Sequence, residues 1–171
     1  LTAMVCALTV GKKKYADVQE LAIESQKKGN ELKAQFVDVI DRDTEAFNAV
    51  SAVFAMPKDT DEEKAARKAA MQEALKGCTK TPFEMMELAC QALELTRSVV
   101  GKLNASAASD LGCAALSLKA AIQGAWLNVL INIGGIQDQA FADEYRQKGQ
   151  ALLDKALPLA DAIYQEVLES L

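Results

Sequence analysis

Histidine is absent from the 171 residues. That removes any Ser-His-Asp or Cys-His nucleophile pair, and it removes the Glu-x-x-His motif of a di-iron helical bundle. Acid–base chemistry has to come from Asp, Glu, Lys, Tyr or Cys. Cysteine occurs as Cys6, Cys78, Cys90 and Cys113, never in a Cys-x-x-Cys spacing, so no metal site is expected. These cysteines read as small buried hydrophobes in a reducing, cytoplasmic setting. No signal-peptide pattern opens the chain. Proline occurs only three times and aromatic residues make up 5% of the chain, too few for the strands and turns of a β-sandwich or barrel. A basic excess is missing as well. The formal net charge is −5, against the footprint of a nucleic-acid binder.

What is abundant is Ala, Leu, Glu, Lys and Gln, all strong helix formers. Leu1 to Val10 reads as the end of a helix that begins before Leu1, stopped at Gly11 and the lysine turn. A long amphipathic pattern runs from about Asp17 to Ala55. After a loop around Pro57, Thr60 and Glu63 form a capping box for a helix over about Asp61 to Gly77. Thr81-Pro82 then has the chemistry of an N-cap and first position, starting another helix to about Lys102. An apolar helix follows from Asp110 to the Gly134-Gly135 stop, and Asp138 caps a last helix, bent at Pro158, that runs nearly to Leu171.

These elements predict one all-α domain over 1–171, an up-and-down bundle of about six long antiparallel helices. The run from Leu111 to Ile136 is apolar nearly all round and must be covered on every side. It carries Lys119, Gln123, Asn128 and Asn132, which suits a core or interface helix and not a membrane span. Covering such a helix is easiest in an intimate homodimer.

Two anomalies mark candidate chemistry. On the long second helix, Val18, Leu21, Leu32, Phe36, Ile40, Phe47 and Phe54 form one drifting stripe, and Asp43 falls inside it. With Phe36 at zero, Asp43 lies at about −20° and Phe47 at about +20°. A carboxyl group held there among Ile40 and Phe47 is expected to be desolvated and kept un-ionised, unless a cation or a cap meets it. On the apolar helix, Asp110, Ala114, Ser117, Ala121, Gly124, Asn128 and Asn132 form a small, polar face. The two amides are suited to the donor and acceptor edges of a flat heterocycle, or to a neighbouring backbone. Asp110 also suits an ordinary helix cap. Lys12, Lys13 and Lys14 make the only dense basic cluster, either a solvated turn or a seat for a carboxylate-rich tail, with Tyr15 beside it.

Five segments in order complete the picture: Val10-Gly11-Lys12-Lys13-Lys14-Tyr15, Asp41-Arg42-Asp43-Thr44-Glu45-Ala46-Phe47, Pro57-Lys58-Asp59-Thr60, Ser109-Asp110 and Asn128-Val129-Leu130-Ile131-Asn132. Together they resemble the cyclodeaminase domain of formiminotransferase-cyclodeaminase, a family that also holds the stand-alone methenyltetrahydrofolate cyclohydrolases. The resemblance implies an all-helical homodimer with a tetrahydrofolate derivative as substrate, bound near the subunit interface, and no separate cofactor. It implies that Asp43 is the proton donor, and that Asp110 is a second catalytic carboxylate in the same pocket, orienting the pterin, stabilising the developing cation or sharing the acid–base work. It implies too that Phe47, Asn128 and Asn132 line that pocket, and that Lys12, Lys13, Lys14 and Tyr15 meet the polyglutamate tail. The family's Gly-rich segment before the first helix and the formiminotransferase half do not occur in these residues. The expected activity is therefore cyclodeamination of 5-formiminotetrahydrofolate, a step of histidine degradation, with methenyltetrahydrofolate cyclohydrolysis as the alternative. A reading of another class is a non-catalytic helical dimerisation module.

Overall fold

The computed structural model describes residues 1–171 and is helical throughout, with no strand. Five α-helices follow one another: α1 (Thr2–Ala7), α2 (Gln19–Phe54), α3 (Asp61–Val99), α4 (Ala108–Ile133) and α5 (Gln139–Ser170). Short 3-10 segments, Lys13–Val18 and Ala105–Ala107, lead into α2 and α4. The bundle expectation holds, with one correction. The two helices expected on either side of Thr81 are a single helix, α3, with Pro82 in its interior.

The reason lies in the hydrogen bonds. Proline has no N–H, so a proline inside a helix leaves the carbonyl four residues earlier without its partner. Here that carbonyl belongs to Cys78, and it accepts from Asn132 Nδ2 of α4 at 2.8 Å. Thr81 is not a cap; its hydroxyl donates to Asp43 Oδ1 of α2 at 2.6 Å. A neighbouring helix fills the gap, and α3 continues.

Two other capping signals appear where the sequence puts them, whereas Asp110 is not a cap: α4 starts at Ala108, with Ala107 as its N-cap and no side-chain cap bond. Thr60 Oγ1 accepts from Glu63 N, and Glu63 Oε2 accepts from Thr60 N, closing the capping box of α3. Asp138 Oδ1 accepts from Phe141 N at the start of α5. Gly11 takes a φ of +76°, which a side chain would disfavour, and its N–H donates to Gln19 Oε1 to fold the lysine turn back onto α2.

The main core lies between α3, α4 and α5, with α1 and the start of α2 closing one end. Met86, Leu93, Ile122, Val129, Ile133 and Ile163 are fully or almost fully buried there. Gly149 lets α5 approach α4 closely: a Cβ at that position would sit 2.1 Å from the Trp126 ring. The far half of α2 is attached differently. It runs antiparallel along α3 through a small satellite core of Leu32, Val39 and Leu88, and leaves its outer side open.

The apolar helix α4 is therefore not covered on all sides within one chain. Leu116, Leu127 and Ile131 are exposed, the last to 76%. By length and composition the stretch Ala105–Ile133 could cross a membrane. Its buried face, Ile122, Val129 and Ile133 among them, is nevertheless part of the bundle core.

Candidate active site

Asp43, Thr81, Cys78 and Asn132 meet where α2, α3 and α4 come together. Antiparallel pairing of α2 with α3 sets the register. Arg42 forms a two-pronged ion pair with Glu84 at 2.6 and 2.7 Å, and the next residue, Asp43, reaches Thr81 one turn earlier on α3. Arg42 also bonds Asp38 on its own helix, and the two carboxylates hold its guanidinium firmly charged. With Arg42 engaged by Glu84 and Asp38, Asp43 is left with a neutral hydroxyl as its partner. Burial pushes the Cys78 thiol up, and the negative charge of Asp43 nearby adds to the effect.

Asp43 itself is exposed in the single chain, contrary to the expectation of a buried carboxyl group. The apolar stripe is real, but it divides. Leu32 and Val39 turn into the satellite core, whereas Ile40, Phe47 and Phe54 face outward, Phe47 to 64%. The carboxyl group thus stands between two uncovered apolar side chains.

The asparagine pair also differs from its most specific reading. Asn128 Nδ2 donates to Gly124 O within its own helix, and Asn132 Nδ2 donates to Asn128 O as well as to Cys78 O. Their amide nitrogens serve backbone carbonyls. Asn132 is a structural neighbour of the Asp43–Thr81 contact, and Asn128 is exposed beside it.

The remaining residues lie at the other end of the bundle. Asp110 sits in the first turn of α4, and 18 helical residues separate it from Asn128, about 27 Å along the axis. The lysine turn precedes the start of α2, about 36 Å by the same rise from Asp43. Lys12, Lys13 and Lys14 are exposed, and the Tyr15 hydroxyl accepts from Ala105 N at 3.0 Å. Within one chain, Asp110 does not line the same pocket as Asn128 and Asn132. Lys119 is paired with Asp161 of α5 and is not part of either group.

Sequence reasoning missed Thr81 and Cys78. Thr81 was readable only as a cap, because a Thr-Pro pair looks the same at a helix start and inside a helix. No local signal decided against a helix start, because Gly77 followed by Thr81-Pro82 suits a helix stop and a new first turn as well as it suits a continuous helix.

Two openings come within a turn of these residues, although none of Asp43, Thr81, Cys78 and Asn132 lines either. A groove of about 360 Å³ lies between α2 and α4 with α3 as its floor, lined mainly by apolar groups such as Phe36, Ile40, Leu95 and Leu118. A larger cleft of about 850 Å³ lies beyond Arg42, over Glu84, Glu87, Tyr145 and Lys148. Among its charges Arg42 is paired with Glu84 and Asp38, and Lys148 with Glu144 outside the lining. The apolar groove, with Ile40 on its wall one turn from Asp43, is the opening better suited to a flat organic ligand.

Known proteins bear on the same residues. The chain is 41% identical over 167 residues to a methenyltetrahydrofolate cyclohydrolase of Methylorubrum extorquens, covering 98% of this chain and 80% of that protein. It is 30% identical over 156 residues to the formimidoyltransferase-cyclodeaminase of Sus scrofa, covering 91% of this chain but only 29% of that larger protein. The crystal structure of a formiminotetrahydrofolate cyclodeaminase from Thermotoga maritima superposes with a TM-score of 0.77 at 26% identity, over 99% of this chain and 79% of that one. Residues 1–151 match the sequence profile described as formiminotransferase-cyclodeaminase, and the chain belongs to that family.

Proposed function

We propose that this protein is a folate enzyme acting on the one-carbon unit between N5 and N10 of tetrahydrofolate, with Asp43 as its proton donor. The observation that carries the reading is the placement of Asp43. It is oriented by Thr81 and flanked by exposed Ile40 and Phe47, and Ile40 also lines the near end of an apolar groove.

The leading reaction is cyclohydrolysis of 5,10-methenyltetrahydrofolate, favoured by the relative that matches nearly the full chain at 41% identity. Water adds to the methenyl carbon and loses a proton to give a tetrahedral carbinolamine. The C–N5 bond then breaks, its electron pair goes to N5, N5 takes a proton, and the hydroxyl loses its own as the formyl carbonyl forms. The second reaction, cyclodeamination, is supported by the Thermotoga maritima structure. N10 of 5-formiminotetrahydrofolate attacks the formimino carbon, and its proton passes to the formimino nitrogen to give an amino group. Asp43 protonates that group, and ammonia leaves with the C–N electron pair as the methenyl cation forms. Both reactions need a proton delivered to a departing nitrogen, which a carboxylic acid shielded from water supplies. The folate carries the one-carbon unit, and neither step calls for a further cofactor.

Shielding comes from a second copy in this reading. Ile23, Val37, Ile40, Phe47 and Phe54 are all exposed, and they fall on the a and d positions of one heptad frame along α2. Exposed Leu116, Leu127 and Ile131 extend the apolar surface on α4. A two-fold homodimer covering these stripes would take water from around Asp43. In an antiparallel arrangement it would also carry one subunit's Asp110 and lysine turn toward the other's acid. Asn128, with its amide oxygen free, and Phe47 would then line the folate pocket, and Lys12, Lys13, Lys14 and Tyr15 would meet the tail. The reading places these reactions outside the membrane and away from nucleic acid.

The test is spectroscopic. Purified protein is mixed with 5,10-methenyltetrahydrofolate and, separately, with 5-formiminotetrahydrofolate, and the methenyl chromophore is followed against the spontaneous rate. Acceleration of one reaction identifies it, and Asp43→Asn should lower kcat by roughly 100- to 10,000-fold with the helical circular dichroism unchanged. Acceleration of neither reaction by the dimeric protein would reject the enzyme reading in favour of a dimerisation module.

A further inference from the structure

We propose that Thr81 is the positioning residue of Asp43, fixing which carboxyl oxygen carries the transferable proton, and that Pro82 and Asn132 hold Thr81 in place for that task. The inference rests on Asp43 being the acid, and it assigns roles that the proton chemistry alone does not.

The geometry comes first. Thr81 is 9% exposed, and its hydroxyl donates to Asp43 Oδ1 at 2.6 Å, the short distance expected of a hydroxyl donor to a carboxylate. Most threonines inside a helix bond the carbonyl one turn back, as Thr79 does to Leu75 O and Thr96 to Ala92 O. Thr81 of the same helix bonds across to α2 instead. A donor fixed on Oδ1 makes that oxygen an acceptor only, so a proton on this carboxyl group resides on Oδ2.

The support comes from the next residue. Pro82 leaves the Cys78 carbonyl without an intrahelical donor, and Asn132 Nδ2 supplies the missing bond at 2.8 Å. Two interhelical bonds, one to α2 and one to α4, therefore converge within one turn of α3. A proline in a helix interior costs several kcal/mol relative to alanine, so its presence here calls for an explanation, and anchoring Thr81 is one.

The groups around the carboxyl are few. From α3 the Thr81 hydroxyl and the Cys78 thiol approach it; α4 contributes only the neutral Asn132, through Cys78. The cation next along α2, Arg42, is turned to Glu84 and Asp38. Removing the Thr81 hydroxyl thus removes a hydrogen-bond donor to Asp43 without removing a charge.

In the proposed chemistry the Oδ2 proton passes to the departing nitrogen as that nitrogen takes the C–N electron pair, and Asp43 is left as a carboxylate. The hydroxyl on Oδ1 stabilises that charged form. Its loss should slow the proton transfer and leave substrate binding alone.

The experiment compares the full-length wild type with Thr81→Val and Thr81→Ser, and with Thr81→Ala should the valine variant fail to fold. Two readouts are used. The first is independent of activity: the 13Cγ resonance of Asp43 is titrated by NMR. Its midpoint should rise by about 0.3 to 1 pH unit in Thr81→Val, a shift on the scale of one hydrogen bond, and return toward wild type in Thr81→Ser. The second is kinetic. Thr81→Val should lower kcat by about 3- to 30-fold with KM within about two-fold, its pH–kcat limb should move to higher pH, and Thr81→Ser should recover most of the loss. Coincident titrations in wild type and Thr81→Val overturn the positioning role even if Asp43→Asn is inactive, in which case the acid assignment stands alone. An Asp43→Asn variant of undiminished activity overturns both.

Discussion

Two parts of the molecule are equally apolar in sequence and differ in how they are used. Between α3, α4 and α5 the apolar residues close on one another, and Ile122, Val129 and Ile163 reach no solvent at all. Along the far half of α2, Val37, Ile40, Phe47 and Phe54 reach solvent over more than half of their surface. The core of the first region is complete in a single chain, although the outer face of α4 leaves Leu116, Leu127 and Ile131 exposed. The second keeps a large apolar surface that monomeric proteins rarely leave contiguous. Asp43 lies on the border, tied to the closed region through Thr81 and standing in the open one. A folded scaffold fixes the position of this carboxyl group and leaves its apolar neighbours Ile40 and Phe47 uncovered.

Substitutions in the two regions should therefore separate stability from assembly. Ile122→Ala removes a fully buried side chain and should lower the unfolding free energy by about 2–5 kcal/mol in urea, with the association state unchanged. Phe47→Glu should leave the unfolding of the protomer nearly where it was, because its side chain is 64% exposed. It should instead halve the mass in light scattering and lower kcat by about 100-fold or more. A Phe47→Glu protein that stays dimeric and active would place the interface elsewhere and dissolve the contrast.

The sequence carried most of the closed region. Helix formers, the Thr60–Glu63 box, the Asp138 cap and the Gly134 stop delimit α3, α4 and α5 within a few residues, because each acts through its immediate neighbours. It also marked Asp43, since the angular position of a residue on a helix follows from counting. What it could not give was the partner of each face. Whether Ile40 and Val39, adjacent in sequence, point to a core or to solvent depends on where α3 lies. The continuity of α3 through Pro82 depends in the same way on Asn132, fifty residues further on and in another helix. Local propensity at Thr81-Pro82 argued for a break, and a long-range hydrogen bond overrode it.

That override gives a sharper test at the border itself. Asn132→Ala withdraws the donor from the Cys78 carbonyl and should cost about 1–3 kcal/mol. Pro82→Ala restores a backbone N–H that can fill the gap from within α3. In the double variant the cost of losing Asn132 should fall by about 1 kcal/mol or more, a coupling measured by a double-mutant cycle. Strictly additive effects would mean that Asn132 does not compensate for the proline, and that α3 runs through Pro82 without help from α4.

The smallest expected effect concerns the closed region and separates a cap from an ion pair. Asp138 accepts from Phe141 N at the start of α5 and also meets Lys76 of α3 at 3.1 Å. The backbone N–H first and the lysine second hold its carboxyl below the usual carboxylate range. A group with a lowered folded-state value stabilises the fold fully above the unfolded carboxylate range, and that contribution is lost as the pH falls through the folded value. Asparagine caps helices about as well as aspartate but carries no charge. Asp138→Asn should therefore fall slightly behind the wild type at pH 7, and the gap should close as the pH drops through the lowered folded-state value of the aspartate, below which it too is neutral. Asp138 is well exposed and Lys76 partly so, and the pair is open enough to water that the gap should be small and should shrink further in salt. A gap in urea midpoints that persists unchanged from pH 7 to below the folded-state value would show that shape, not charge, distinguishes the two side chains, and that the α3–α5 contact depends on apolar packing and the cap alone.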